Sequence, residues 1–218
     1  MNKIDLDGVT YATDEFGVIH QVTPPQPYDV SRYAGYYDGL GIKTRAMSCL
    51  RLGHLLASVG AACRMTLLDI GYGNGDFLVR CADAGLSGSG FDVATRPLTD
   101  ERLLTLRWDQ VMSRHRDVVT FYDSLEHFPS LAWLSDLKAS YVIVSAPWCH
   151  WIQGQPEFRD WKHRKPHEHL HHFNAASLVE FMASMGWKNI SLSNVEDGIR
   201  GVREDGKPNI LTAVFEGR

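Results

Sequence analysis

The side chains best suited to chemistry stand close together at Asp123, Glu126 and His127. A histidine changes its charge near neutral pH, so His127 is a candidate general base that accepts a proton from a substrate. The three residues follow an apolar run at 118–122 that is typical of a buried strand. Because ligands gather at the carboxyl ends of strands in open α/β sheets, this segment predicts one wall of an active site.

A glycine-rich turn follows an earlier apolar run of the chain. The strand-like run at 66–70 leads into Gly71, Gly73 and Gly75, and an amphipathic stretch comes directly afterwards. This order predicts a buried strand, a tight turn and a helix start, with backbone that a ligand can approach closely. The N-terminus of that helix offers unpaired N–H donors to a polar or anionic group. On these residues alone, an ordinary glycine-rich turn between a strand and a helix is the alternative.

The spacing of the turn indicates which ligand it holds. A dinucleotide fingerprint reads Gly-x-Gly-x-x-Gly, whereas this chain reads Asp-x-Gly-x-Gly-x-Gly, with Asp76 where the third glycine would fall. A second acid, Asp92, lies roughly 20 residues beyond the turn, the usual reach of a ribose-binding acid. Together these features resemble the first motifs of class I S-adenosylmethionine-dependent methyltransferases. The resemblance implies S-adenosylmethionine as the cofactor, bound by Asp69, Gly71, Tyr72, Gly73, Gly75, Asp92 and Asp123.

Later segments extend the resemblance over residues 45–217. The segment at 117–129 is similar to the family pattern D-x-V-x-x-x-x-V-L-E-H-x-x-x-P, and the run at 141–147 fits the next strand. The segment at 168–173, with the pair at 186–187, is similar to the ending E-H-L-x-x-F … L-x-x-x-G-F of small-molecule O-methyltransferases such as the ubiquinone-biosynthesis type. The implied fold is α/β: a Rossmann-like, doubly wound, mostly parallel sheet with a terminal antiparallel strand pair.

The spacing Asp-x-x-Glu-His also resembles a metal site, the E-x-x-E-H motif of ubiquinone-biosynthesis O-methyltransferases and small-RNA 2′-O-methyltransferases. Asp123 stands in place of the first Glu, and the downstream H-x-F histidine of the RNA enzymes would be His171. The resemblance implies Asp123, Glu126, His127 and His171 as ligands of Mg²⁺ or Mn²⁺, which suit oxygen-rich ligation. Without a metal, Asp123 would cap a short turn, and Glu126 and His127 would shape the cofactor pocket. We predict Glu126, His127 and His171 as the catalytic residues.

The residues from His167 to His171 formally match the zinc-protease signature H-E-x-x-H. That signature works only on a helix, and Pro166 before it argues against one. In an extended segment, alternate histidines would share one side. In similar methyltransferases this segment flanks the acceptor pocket, and a solvated polar loop is the other interpretation.

Aromatic and basic residues alternate at 148–165, where this class of enzyme places its acceptor lid. Trp151 and Trp161, with the cations between them, would suit a sugar, a nucleotide or an aromatic ring, or would pack the segment down on the sheet. Three tyrosines near the N-terminus could close the other side of the pocket or belong to the core: Tyr33, Tyr36 and Tyr37.

Composition places the chain among ordinary globular proteins. It has 218 residues, of which 44% are hydrophobic and 22% charged, so one well-buried domain is expected. A net charge of −4 argues against a broad nucleic-acid or membrane surface. Four cysteines without C-x-x-C spacing, and no apolar segment of leader or membrane length, predict a cytoplasmic protein. We predict one domain over 1–218, with an extension at 1–43 and a catalytic core at 44–218 that includes a lid insertion at 148–172.

Hydrophobic periodicity predicts the order of the elements. Short strands are expected within 1–23 and a helix at 44–59, followed by alternating strands and helices. The third strand of the parallel sheet, near 103–106, should be short because little chain is left for it. Asn174 should cap a helix, and two antiparallel strands near 189–194 and 210–216 should close the sheet.

These features predict a methyltransferase that uses S-adenosylmethionine to O-methylate a small-molecule or glycan-type acceptor. One alternative is 2′-O-methylation of an RNA end with a divalent metal, which the acidic net charge disfavours. Another is a non-catalytic, cofactor-binding partner subunit, which His127 and the aromatic lid segment disfavour. The sequence does not indicate an oligomeric state.

Overall fold

The computed structural model describes residues 3–27, 41–60, 64–94, 98–151 and 156–217. The tyrosines considered above, Tyr33, Tyr36 and Tyr37, lie outside these ranges. The strands are β1 Lys3–Leu6, β2 Val9–Thr13, β3 Ile19–Gln21, β4 Thr66–Ile70, β5 Ser87–Phe91, β6 Leu104–Thr105, β7 Arg116–Tyr122, β8 Ala139–Pro147, β9 His171–His172, β10 Trp187–Ser193 and β11 Ile210–Gly217. The helices are α1 Gly41–Val59, α2 Asp76–Asp83, α3 Trp108–Val111, α4 Pro156–Arg159, α5 Ala175–Ser184 and α6 Asp197–Arg200, and 3-10 turns occupy Leu125–His127 and Ala132–Ser135.

Seven strands form the main sheet, in the order β10-β11-β8-β7-β4-β5-β6. The neighbours from β8 to β6 are parallel, whereas β11 runs antiparallel to both β8 and β10. This confirms the predicted α/β, doubly wound, mostly parallel sheet with its terminal antiparallel pair. The predicted shortening of the third parallel strand is also confirmed, because β6 has two residues.

Both faces of the main sheet are covered by helices, because successive side chains of a strand point to opposite sides. On β7, Val118 packs in the cluster that contains Leu55 of α1, whereas Phe121 packs in the cluster that contains Phe181 of α5. Helix α5 begins where it was predicted, since the Asn174 side chain accepts a hydrogen bond from the Ser177 N–H at 2.8 Å. Within the described ranges, no helix has the length and apolar character needed to cross a membrane.

A second sheet, which we call the cap sheet, joins the N-terminal strands to the segment before α5, in the order β1-β2-β3-β9. The turn between β1 and β2 has positive φ at Asp7 and Gly8, as a two-residue hairpin requires. Asp7 forms ion pairs with Arg159 and Arg164, and β9 pairs with β3. The described parts of the predicted N-terminal extension and lid insertion therefore pack together.

The cap sheet has its own hydrophobic core, in which Tyr11, Phe158 and Trp161 are members. Trp161 is 6% exposed, and its ring meets the Phe158 ring with 6.4 Å between centroids. Trp151 packs at the border of this core, where the Arg203 guanidinium lies 4.1 Å from its ring centre. The position of Trp161 therefore favours packing over acceptor binding as the role of this residue.

We expect Trp161→Ala to lower the free energy of unfolding by about 3–5 kcal/mol, because a buried aromatic side chain leaves a cavity. Trp151→Ala should cost less, since Trp151 is only partly buried. Urea denaturation measures both changes, and calorimetry with S-adenosylhomocysteine should show unchanged cofactor affinity. Wild-type stability of Trp161→Ala, combined with a raised acceptor KM, would support acceptor binding instead of packing.

Candidate active site

The predicted glycine turn connects β4 to α2 through three residues with a left-handed backbone. Gly71, Gly73 and Gly75 have φ values of 87°, 58° and 80°, which side-chain-bearing residues adopt only with strain. A Cβ atom on Gly71 would lie 2.5 Å from the Cβ of Ser124, so the turn passes directly against the end of β7. This is the backbone geometry that the predicted cofactor loop requires.

Asp92 follows β5 and lies against the glycine turn. Its carboxylate accepts hydrogen bonds from the backbone N–H of Gly73 at 2.9 Å and of Ala94 at 2.7 Å. A carboxylate is thus fixed beside the carboxyl ends of β4 and β5, where a βαβ unit meets the ribose of its ligand. The structure brings the two predicted cofactor motifs together, and the ribose contact itself stays a prediction.

Two other predicted cofactor residues have side chains turned into the protein. Asp69 is 3% exposed and accepts a hydrogen bond from the Thr120 hydroxyl at 2.7 Å, and burial raises its pKa to about 6. The Tyr72 ring is buried beside Gly90, where an added Cβ would lie 2.5 Å from the ring atom Cδ1. Both side chains therefore support the turn from the interior.

Asp123 belongs to an ion-pair network that the sequence did not indicate. Its carboxylate accepts a hydrogen bond from Arg51 at 3.1 Å and pairs with Arg200, while both guanidiniums also bind the buried Glu196 at 2.8 and 2.9 Å. Burial alone would raise the pKa of Asp123, but Arg200 and Arg51 outweigh burial and hold it below its usual value. The predicted metal ligand Asp123 is therefore engaged by two arginines.

Glu126, His127 and His169 form a compact group at the carboxyl end of β7. One nitrogen or carboxylate oxygen from each lies within 4.8 Å of the others. Glu126 is 1% exposed, and within the described part of the chain neither of its carboxyl oxygens has a hydrogen-bond partner. The rings of His127 and His169 meet edge to face, with 4.8 Å between centroids. Two of the three predicted catalytic residues thus meet here.

Burial favours the neutral form of each member of this group. Burial raises the pKa of Glu126, and the charge of Asp123 raises it further, which favours the protonated carboxyl. Burial lowers the pKa of His127 and brings that of His169 to about 3. The His127 side chain is 20% exposed. A neutral imidazole can accept a proton from a substrate.

His171 does not join this group, contrary to its predicted role as a catalytic residue and metal ligand. Its Nε2 lies 2.7 Å from the carbonyl oxygen of Phe128, and its Nδ1 lies 2.7 Å from Nδ1 of His20. Since both ring nitrogens are engaged, His171 has no free lone pair for a substrate or a metal ion. His169 takes its place beside Glu126.

The H-E-x-x-H resemblance does not correspond to a helix. His167 has a φ of 66°, and only His171–His172 of this segment is a strand. The three alternate histidines also have different partners: His169 lies 2.8 Å from the His163 carbonyl, while His167 lies at the pocket described next. The segment therefore lacks both the zinc-protease geometry and the common face that a fully extended chain would give it.

A pocket of about 330 Å³ opens beside His127. Its other lining residues are four apolar and three polar ones: Pro25, Pro27, Pro129, Leu170, Gln26, His167 and Glu168. They come from the chain after β3, the segment before β9 and the loop after β7, so the cap sheet and the main sheet share this pocket. Its volume is at the small end of the range of small-molecule sites, about 300–1,000 Å³.

The raised pKa of Glu126 predicts a pH-dependent stability. The folded protein keeps a proton on this carboxyl at pH values where the unfolded chain, whose value is near 4.5, has lost it. Because the folded state then binds more protons, the free energy of unfolding should fall as pH rises above that value. Glu126→Gln should remove this loss, so the variant should gain stability relative to the wild type as pH rises. Urea denaturation at acidic and neutral pH checks this, and equal pH dependence in both proteins would contradict it.

The sheet order, the glycine turn and the facing acidic residue together define the Rossmann-like fold of class I S-adenosylmethionine-dependent methyltransferases. A family model described as a methyltransferase domain matches residues 44–192, and the chain belongs to this family. It is an enzyme that uses S-adenosylmethionine as its cofactor. A search of curated proteins gives no match.

Solved structures similar to this chain are methyltransferases at low sequence identity. The 1,6-didemethyltoxoflavin-N1-methyltransferase of Burkholderia thailandensis, with bound 1,6-didemethyltoxoflavin and S-adenosylhomocysteine, has a TM-score of 0.61 and 14% identity over 100% of this chain and 99% of its own. A methyltransferase in complex with the Trm112 activator of Haloferax volcanii has a TM-score of 0.60 and 14% identity over 94% and 99%. Magnesium protoporphyrin IX methyltransferase of Synechocystis, with bound S-adenosylhomocysteine, has a TM-score of 0.54 and 14% identity over 89% and 90%.

Four residues at the candidate site were not predicted from the sequence: Arg51, Glu196, Arg200 and His169. Arg51 and Glu196 are 145 positions apart and belong to no shared motif, so only the fold brings them together. His169 belongs to the Glu-His pair of the family ending, but the H-x-F pattern predicted His171 as the ligand instead.

Proposed function

We propose that the enzyme transfers the methyl group of S-adenosylmethionine to a hydroxyl group of a small-molecule or glycan-type acceptor in the pocket beside His127. The observation that carries the proposal is the place of His127: it lies at the carboxyl end of β7 and lines the pocket, and burial lowers its pKa, which favours the neutral ring.

The chemistry of methyl transfer explains why such a group is useful. The acceptor oxygen attacks the methyl carbon while the bond from that carbon to the sulfonium sulfur breaks, which leaves S-adenosylhomocysteine. A hydroxyl group keeps its proton at neutral pH, so the oxygen must lose that proton, here to His127. The glycine turn and Asp92 would hold the cofactor so that acceptor and methyl group are aligned.

The size of the pocket and the nature of two structural neighbours support a small acceptor. The Burkholderia enzyme is an N1-methyltransferase of a small heterocycle, and the Synechocystis enzyme methylates magnesium protoporphyrin IX. The pocket walls combine prolines with Gln26, His167 and Glu168, a mixture that suits a ring bearing polar groups. Transfer to oxygen, as opposed to nitrogen, rests on His127.

A matched pair of acceptors tests the proposal. Aromatic or sugar compounds that differ only by a hydroxyl or an amino group would be offered with methyl-labelled S-adenosylmethionine, and products identified by mass spectrometry. We expect label on oxygen, with the rate strongly dependent on His127. Transfer to the amino compounds alone, at a rate that His127→Ala leaves unchanged, would refute O-methylation.

A second candidate function, 2′-O-methylation of an RNA end with a divalent metal, has the Glu126–His127–His169 group in its favour. The donors fit a metal ion, because the Glu126 oxygens lack partners within the described residues and His169 uses only Nδ1 for the His163 carbonyl. Two imidazoles and one carboxylate suit a transition metal more than Mg²⁺. Such an ion would act as a Lewis acid toward the acceptor oxygen.

Chelation separates the two candidates. If His127 is a base, methyl transfer should be indifferent to EDTA. If the group holds a metal, activity should be lost with EDTA and restored by Mn²⁺, and calorimetry with Mn²⁺ alone should show binding that Glu126→Gln abolishes. Asp109→Asn, an exposed change on α3, is not expected to alter Mn²⁺ binding and serves as the control.

A further inference from the structure

A chain of three side chains links the cap sheet to the loop that carries His127. His20 of β3 and His171 of β9 are directly opposite each other in the antiparallel pair. His20 Nε2 lies 2.8 Å from Asp14 Oδ2, the two Nδ1 atoms lie 2.7 Å apart, and His171 Nε2 lies 2.7 Å from the Phe128 carbonyl oxygen. The chain therefore ends on the residue that follows His127.

Each ring nitrogen of His20 and His171 has a hydrogen-bond partner, so the chain has no break between Asp14 and Phe128. The Phe128 carbonyl can only accept, so His171 Nε2 carries a hydrogen. One hydrogen lies between the two Nδ1 atoms. The Asp14 carboxylate accepts two further hydrogen bonds from backbone N–H groups of the turn after β2, so it also acts as the acceptor for His20 Nε2. Asp14 thus anchors one end of the chain in the cap sheet, and His171 donates to Phe128 at the other end.

The loop that carries His127 has weak internal support. Its 3-10 turn is closed by two long hydrogen bonds, donated by the backbone N–H of His127 at 3.2 Å and of Phe128 at 3.4 Å. The segment at β9 supplies shorter ones. The Leu170 N–H donates to the Glu126 carbonyl at 2.8 Å, and His171 donates to the Phe128 carbonyl at 2.7 Å. The cap therefore contributes the two shortest of these four hydrogen bonds.

We propose that the Asp14–His20–His171 chain is a positioning device for His127. By fixing the Phe128 carbonyl, it sets the direction of the His127 ring and the Pro129 wall of the acceptor pocket. His171 acts through Phe128 and does not touch the reacting atoms. The catalytic consequence rests on the proposed role of His127 as base, whereas the structural consequence does not.

His171→Phe tests the chain, because it keeps a ring of similar size and removes both hydrogen bonds. We expect kcat on the identified acceptor to fall about 10–100-fold, the usual effect of removing a residue that orients a catalytic group, with S-adenosylhomocysteine affinity unchanged. His171→Gln, whose amide can still donate to Phe128, should recover part of the loss. Histidine-ring NMR of the protein without substrate should show the Nε2–H form of His171, and His127 signals that shift in the Phe variant and return in the Gln variant.

His172→Phe is the matched control. His172 is next to His171 but packs on the opposite face, against Tyr11, Phe158 and Trp161. It should change stability while leaving kcat and the His127 signals unchanged. Unshifted His127 signals in His171→Phe, or equal shifts in His172→Phe, would overturn the proposal. A fully active His127→Ala variant would instead contradict the role of His127 as a base. The NMR test of the positioning proposal would still stand.

Discussion

His127→Ala should lower kcat by about 10²–10⁴-fold, the usual contribution of a general base, while S-adenosylhomocysteine binding is retained. Because burial lowers the pKa of His127 from its ordinary value of 6.5, the wild-type rate should already be on its plateau at neutral pH. The rate should fall only on the acid side of that value, as the imidazole becomes protonated. Steady-state kinetics as a function of pH, together with calorimetry, measures both effects.

An exposed histidine provides the control. His115 precedes β7, at the opposite end of that strand, and is solvent-exposed, so His115→Ala should match the wild type in rate and in cofactor affinity. A fully active His127→Ala, both with and without added metal, would show that His127 is neither base nor metal ligand. Catalysis would then depend on the alignment of acceptor and methyl group alone.

Gly73→Val should weaken S-adenosylmethionine binding by about 100-fold or more, which corresponds to about 2.7 kcal/mol. The φ of 58° at Gly73 is unfavourable for a β-branched residue, and the change would disturb the N–H that donates to Asp92. Asp92→Ala should also weaken binding, since it removes a charged acceptor worth about 1.5–3 kcal/mol for each hydrogen bond.

Gly85→Val is the matched control for backbone strain. Gly85 has a φ of 87°, lies after α2, and has no atom within 4 Å of its would-be Cβ. It should therefore lower stability and leave cofactor affinity unchanged. Calorimetry that gives wild-type affinity for both Gly73→Val and Asp92→Ala would contradict the assignment of the cofactor site to this turn.

Much of the fold was predictable because local signals and long-range packing agree. The glycine turn, the apolar run of β7 and the Asn174 cap are each specified within a few residues of sequence, and each occurs as predicted. The cap sheet was not predictable as one unit. Its last pairing joins His20 to His171, 151 positions away, through a strand of two residues that has no periodicity to detect.

The candidate site was predictable in part for a related reason. Glu126 and His127 follow a well-marked strand, so their place at the carboxyl edge could be inferred. That His169 and not His171 lies beside Glu126 depends on the backbone of one short segment. The positive φ of His167 interrupts the alternation of side-chain direction that an extended chain would have. Asp123 was expected to face a ligand. Its ion pairs with Arg51 and Arg200 could not be predicted, because these arginines come from distant elements and belong to no sequence motif.

The main sheet and the cap sheet differ in how far the family model covers them. The family model covers residues 44–192, which include the glycine turn, Asp92 and His127, but not the strands β1 to β3 or the prolines at 25 and 27. The proposed donor site thus lies in the matched part of the chain, while three residues of the proposed acceptor pocket, Pro25, Gln26 and Pro27, precede it. We therefore expect that a different segment in place of β1 to Pro27 would change which acceptors bind and leave the proposed donor site unchanged.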